Sequence, residues 1–253
     1  MPLPLLQPTV SRDAQVTSLP ENGWRLSLPP GRAGRYRLAQ LDDYRALPRP
    51  RFLHHPPLEL TLQARASAPD LPGTWGFGLW NDPFAFSFGL GGARRLPALP
   101  NALWFFFASP HNHLSLRDDL PAFAALAATF RSPRWPALLV APALLALPFF
   151  AFPPIAKLLR RISRSIVRQD AVALSINPKE WHTYSLRWDQ NAASFQVDGV
   201  KVFETSLVPH PPLGLVLWID NQYLSFPPNG RLRYGTLENS DSAWLEIRSL
   251  AII

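Results

Sequence analysis

The chain has 253 residues, a net charge of +7, 29 Pro, 13 Gly and no Cys. Its 16 Phe, 9 Trp and 5 Tyr are not the composition of a disordered chain, and this length supports one sizeable core. The absence of Cys excludes a disulfide scaffold, a Cys-ligated zinc or iron–sulfur site and a thiol nucleophile.

The first ten residues, MPLPLLQPTV, carry no basic residue ahead of their short apolar stretch, and three prolines interrupt it. That is not the pattern of a secretory signal, so the sequence reads as cytoplasmic, with membrane association left to an element further on. The adjacent His54 and His55 diverge in an extended chain and read as structural. Leu58–Ala66 alternates leucine with polar residues and runs into a turn at 68–73, so it is expected as a strand. Trp75–Trp80 alternates small and large residues. Asn81 and Asp82 precede Pro83, which holds Asp82 in an extended or turn conformation. Leu103–Phe107 is apolar on both faces, as in a strand buried between two layers. His111 and His113 share one side of an extended segment, but no third ligand is near; they read as loop histidines, and no metal site is expected.

Between Arg131 and Arg168 the charge pattern changes. Arg131, Arg134, Lys157, Arg160, Arg161, Arg164 and Arg168 are joined by no Asp or Glu, leaving 18 basic against 18 acidic residues elsewhere. The excess charge therefore belongs to one segment. Inside it, residues 136–156 are 21 positions without a charged or polar side chain. That is long enough to cross a bilayer, but Pro136, Pro142, Pro148, Pro153 and Pro154 break the backbone bonding that a lipid-facing span needs. Short helical turns are expected instead. In the following 155–168 stretch, Ile155, Leu158, Leu159, Ile162 and Ile166 fall on one helical face and Lys157, Arg160, Arg161, Arg164 and Arg168 on the other. This fits an interfacial helix on an anionic membrane. It equally fits a cover over the protein's own core, or a lid over a cleft. Nucleic acid, the usual partner of a strongly basic chain, fits poorly with basic residues set beside an apolar run.

Strand patterns resume at Trp181–Trp188, where His182, Tyr184, Leu186 and Trp188 share a face. Ser194–Val197 and Val200–Phe203 flank Asp198-Gly199, a pair suited to a tight hairpin. Leu213–Ile219 reads as a buried strand leading into Asp220, Asn221, Gln222 and Tyr223, and Trp244–Ile253 reads as the closing strand. Many short strands with Pro- and Gly-marked turns make an antiparallel β-sandwich. It is expected as a single domain over 1–253, with a helical, apolar and basic insertion at 117–170.

The Trp181-His182-Thr183-Tyr184 block, Trp188, Phe195-Gln196-Val197-Asp198-Gly199 and Val202-Phe203 resemble a stretch of glycoside hydrolase family 16 and related concanavalin A-like lectin and glucanase domains. Trp244–Leu250 resembles the last strand of that jelly roll, and Gly73–Trp80 the strand before the catalytic one. The resemblance implies an all-β, concanavalin A-like jelly-roll fold. Family 16 hydrolases carry Glu-x-Asp-x-x-Glu, or a form one residue shorter, on the next strand. Here that strand is Asn101–Ser109, which has no carboxylate. The retaining mechanism needs two carboxyl groups facing one bond, so its usual residues are absent.

Two functional readings follow. In the first, the apolar row makes an aromatic-lined cleft that binds a hydrophobic or amphipathic small molecule or transforms it by acid/base chemistry such as a cyclisation, isomerisation or hydration. Asp82 and Asp220 are then the acid/base candidates if they meet across the concave face, with Tyr223 as an orienting group. In the alternative, an atypical glycosidase or lectin binds a glycan through cleft tryptophans, since sugar C–H groups stack on indole faces. Both readings draw on Trp75, Trp80, Asn81, Trp104, Phe106, Trp218, Asn221 and Gln222 as ligand-binding candidates. Neither calls for a cofactor.

Overall fold

A computed structural model describes residues 6–11, 13–20, 22–83, 95–96, 98–120, 123–136 and 152–253. Sixteen strands occur among them: β1 Gln7–Val10, β2 Gln15–Leu19, β3 Gly23–Leu28, β4 Leu38–Asp42, β5 Leu58–Ala66, β6 Thr74–Trp80, β7 Ala102–Ala108, β8 Ala124–Arg131, β9 Arg168–Leu174, β10 His182–Trp188, β11 Ala193–Val197, β12 Val200–Thr205, β13 Gly214–Asp220, β14 Gln222–Ser225, β15 Arg233–Thr236 and β16 Ala243–Ile252. One α-helix, α1, spans Pro153–Ile166.

The strands form two seven-stranded antiparallel sheets. The front sheet runs β1-β4-β13-β6-β7-β8-β9, and the back sheet runs β12-β11-β10-β5-β16-β3-β2. A small β14-β15 hairpin stands apart. Successive side chains on a strand point to opposite faces. On β6, Trp75, Phe77 and Leu79 enter the core; on β7, Leu103, Phe105 and Phe107; on β13, Leu215, Leu217 and Ile219. The back sheet answers with Leu60 and Leu62, Tyr184, Leu186 and Trp188, Phe195, and Leu245 and Ile247. Edge-to-face rings lock the layers: Tyr184 meets Phe77 and Phe105 at 4.9 Å each, and Phe105 meets Phe195 at 5.3 Å. Such pairs add about 0.5–1.5 kcal/mol each beyond area burial.

The expected sandwich is therefore present. The 58–66 strand, the Asp198-Gly199 hairpin and the closing strand stand where the pattern put them. Asp198 and Gly199 have φ of 51° and 79°, the positive values this tight turn requires. His182 is a structural residue, its Nδ1 2.6 Å from Asp198 Oδ2 and its Nε2 3.0 Å from the Asn177 carbonyl.

The 117–170 insertion differs from expectation. Residues 124–131 form β8, which pairs with β7 over 124–130 and with β9 over 125–131, so among the described residues of the insertion only α1 is helical. The expected proline-broken turns at 137–151 lie outside the described residues. Within α1 the expected facing is also corrected. Ala156 and Arg160 are the buried positions, while Ile155, Leu158 and Ile162 are exposed. Arg160 does not belong to an outward basic face. No described helix is long and apolar enough to cross a membrane.

Candidate functional site

The outer face of the front sheet carries a second apolar cluster: Leu38, Tyr44, Phe52, Phe106, Ala108, Leu126, Val216 and Trp218, with Trp80, Trp104, Leu114 and Leu120 packed against it. Strand alternation produces it. The outward residues are Thr74, Gly76, Gly78 and Trp80 on β6, Ala102, Trp104, Phe106 and Ala108 on β7, and Gly214, Val216, Trp218 and Asp220 on β13.

The register sets small residues beside large ones. Gly76 lies between Trp218 and Phe106, and Gly78 between Val216 and Trp104. With no side chain on β6 at these positions, the neighbouring rings lean into a trough. A Cβ on Gly76 would lie 2.8 Å from Trp218 Cη2, and one on Gly78 2.7 Å from Trp104 Cβ. Trp80 and Trp218 stack at 6.5 Å with planes 5° apart. Trp104 is tilted against both, at 6.1 and 5.6 Å, and Phe106 and Phe130 extend the floor at 5.6 and 5.7 Å from Trp104.

Two indole N–H groups are anchored. Trp80 Nε1 donates to Tyr44 Oη at 2.7 Å. Trp218 Nε1 donates to Thr74 Oγ1 at 3.1 Å, and Thr74 Oγ1 donates to Asp220 Oδ1 at 2.9 Å. Asp220 also accepts from the backbone N–H groups of Thr74 and Gln222, each at 3.2 Å, and Tyr36 Oη reaches its Oδ2 at 3.5 Å. Burial pushes the Asp220 carboxyl up to about 7 despite these donors, because removal from water disfavours the charged form. The Tyr36 hydroxyl is raised too, by burial and then by Asp220.

The structure separates the two acid/base candidates. Thr74 pairs with Asp220 at one end of the β6–β13 ladder, and Trp80 pairs with Gly214 at the other. Thr74 and Trp80 are six residues apart on β6, about 20 Å, and Asp82 lies beyond Trp80, past the end of the strand. Carboxyl pairs that cleave a glycosidic bond stand about 5–9.5 Å apart. Asp82 is instead a buried structural anion: Arg95 Nη1 lies 2.5 Å from its Oδ2, while Arg95 Nη2 donates to the carbonyls of Tyr44, Arg45 and Leu47. Burial raises the Asp82 carboxyl, and Arg95 pulls it back. The other carboxylate on the outer face is Asp42, four residues along β4 from the partner of Asp220. It is held by Gln40, Thr9 and the Arg45 N–H.

The remaining candidates divide. Trp80, Trp104, Phe106 and Trp218 come together on the outer face. Trp75 points the other way, stacked on Phe107 at 3.6 Å within the core. Asn81 is a loop tether, bonded to the Leu99 carbonyl and the Asn101 N–H. Asn221 is fully buried and holds the backbone at Arg35, Arg37 and Leu237. Gln222 and Tyr223 belong to the β14–β15 hairpin, and the Tyr223 ring neighbours His111 at 6.1 Å. The hydroxyls that reach Asp220 are those of Thr74 and Tyr36, not the expected Tyr223. Sequence reading missed Tyr36, Tyr44, Thr74 and Arg95. Thr74 alone had a signal there, as the first outward position of the Thr74-x-Gly76-x-Gly78-x-Trp80 alternation. No group of three or more His, Asp or Glu that could hold a metal occurs among the described residues.

No family model matches the sequence, and no curated protein matches it. Solved structures do match in shape. A Bacteroides ovatus mixed linkage glucan GH16 in complex with a G4G4G3G product aligns with a TM-score of 0.53 at 9% identity, covering 98% of this chain and 94% of that one. A legume lectin-like domain from Entamoeba histolytica gives 0.50 at 9% identity, covering 98% and 89%. The botulinum neurotoxin DC binding domain in complex with SialylT gives 0.46 at 6% identity; this chain spans 42% of its length. The fold is the concanavalin A-like jelly roll.

Proposed function

We propose that the protein binds a neutral glycan, of the β-glucan type, on the outer face of the front sheet and does not hydrolyse it. The observation that carries this reading is the tryptophan floor over Gly76 and Gly78, where Trp80 and Trp104 are part-exposed and Trp218 is buried beside them as their support. Flat indoles with fixed N–H groups suit the C–H faces of pyranose rings, and rings held in place by Tyr44 and Thr74 lose little freedom on binding. Two concanavalin A-like structures of similar shape, one a lectin-like domain and the other a GH16 holding a glucan product, support a glycan on this scaffold. Lack of hydrolysis follows from β7, whose outward residues are Ala102, Trp104, Phe106 and Ala108. It is also supported by the placing of Asp220 and Asp82 toward opposite ends of the β6–β13 ladder.

A second reading rests on a specific observation as well. Phe106, Leu126 and Val216 pack beside the indoles and Phe130 meets Trp104 edge-on, and this apolar surround favours a hydrophobic or amphipathic small molecule. A glycan array probed with wild type and Trp104→Ala tests the first reading. Selective binding to a β-linked glucan, lost in the variant, supports it. No glycan bound, together with saturable binding of a fluorescent fatty acid lost in the same variant, favours the second.

A further inference from the structure

Helix α1 packs on the body through the wrong side for an amphipathic helix. Its inward residues are Ala156 and Arg160, the latter only 3% exposed. Arg160 Nη1 donates to the carbonyls of Ser115 and Phe226 at 3.0 and 2.6 Å. Its Nη2 reaches the Arg117 carbonyl and Asp118 Oδ1 at 3.3 and 3.0 Å, and the guanidinium lies over the Phe226 ring. Gly230 lets the neighbouring turn close against the helix, since a Cβ there would come within 2.6 Å of the Pro153 carbonyl oxygen. These contacts fix the rotation of α1. At about 3.6 residues per turn, Ile155, Leu158 and Ile162 then fall on the outward face, opposite the inward stripe, and Lys157, Arg161 and Arg164 on one flank between the two. The three aliphatic residues are 38%, 54% and 45% exposed, and Phe152 at the N-cap is exposed beside them.

A second observation lies on the basic flank. A groove of about 250 Å³ runs there, lined by Asp118, Lys157, Arg160, Arg161, Arg164 and Pro228. Four cations face one carboxylate, and that carboxylate is already paired with Arg160 and Arg164. Arg160 Nε is buried with no hydrogen-bond partner among the described residues. A clustered guanidinium and ammonium set of this kind suits phosphate oxygens.

We infer that α1 docks the protein on a membrane surface containing anionic phospholipid. The Ile155–Leu158–Ile162 ridge enters the boundary between headgroups and acyl chains, and the groove receives lipid phosphates. Charge decides between occupants. In a two-fold dimer through this ridge each surface meets its own copy, which sets cationic flanks near one another. An anionic bilayer neutralises both flank and groove. The inference is independent of what the tryptophan floor binds.

The test is co-sedimentation of the full chain with phosphatidylcholine vesicles, with and without phosphatidylglycerol. The variants are I155S/L158S/I162S and K157Q/R161Q, each checked for unchanged circular dichroism and melting. The exchanged side chains are surface-exposed or line the groove, so the fold should tolerate both sets. Wild type should bind the mixed vesicles, and each variant should bind them about tenfold less. High salt should weaken binding, and neutral vesicles should bind little. Three results would overturn the inference: no binding to anionic vesicles, equal binding by wild type and both variants, or a solution dimer that the triple variant dissolves while vesicle binding is unchanged. Tight binding of inorganic phosphate without vesicle binding would also overturn it, by making the groove a site for free anions.

Discussion

The Trp218 indole lies against Gly76 so closely that a methyl group there would meet its ring at 2.8 Å and the Phe105 carbonyl oxygen at 2.4 Å. The floor of the outer face thus depends on a missing side chain. Gly76→Ala must push back both the backbone of β7 and the indole, and overpacking of this kind costs about 1–3 kcal/mol. Urea unfolding should show that loss. Tryptophan fluorescence should change as well, because the displaced ring belongs to the Trp80–Trp104–Trp218 group.

Asp220 ties the floor to pH. Its folded-state value of about 7 lies above the usual 3.8, so between these values the folded chain holds a proton that the unfolded chain has lost. Asp220 therefore lowers stability as pH rises from about 4 to about 7, and its effect is level above that. Asn at this position keeps an acceptor for the Thr74 N–H and carries no charge. The stability of Asp220→Asn relative to wild type should rise across this window, by a few kcal/mol at most. Melting temperatures of both proteins over pH 4–8 measure it. A difference that does not vary with pH would show that Asp220 is not held protonated.

Arg95 and Asp82 make a second check. The pair is nearly buried on both sides, with side chains 10% and 7% exposed. Arg95→Met leaves Asp82 unpaired and removes the donor to three carbonyls, which should cost about 3–5 kcal/mol. Adding Asp82→Asn should recover part of that loss, because the stranded charge is gone. A double-mutant cycle by denaturant unfolding gives the coupling directly.

Much of the sandwich was legible because its strands alternate cleanly. Leu58–Ala66, the Trp181–Trp188 strand and the Asp198-Gly199 turn each carry a local signal. β8 carried none: Ala124-Ala125-Leu126-Ala127-Ala128 has no period-2 contrast, and its strand state comes from pairing with β7 and β9. Outward tryptophans could be told from inward ones only by register. Trp75 and Trp80 lie five positions apart on β6, so one enters the core and the other does not. The spacing also contained the separation of Asp82 from Asp220 once β6 and β13 were known to run antiparallel. Which strands are neighbours is a long-range property that no local pattern states. The inward turn of Arg160 was hidden for a related reason. Carbonyls from Ser115, Arg117 and Phe226, remote in sequence, outweigh the preference of the apolar face for burial.

The most direct measurement is native gel electrophoresis through mixed-linkage β-glucan, coupled to an assay for new reducing ends in the same incubation. The account predicts retarded migration by wild type, loss of affinity by about tenfold in Trp104→Ala, and no reducing ends from either protein. Release of reducing ends, or unretarded migration of wild type through this and other β-glucans, would contradict it.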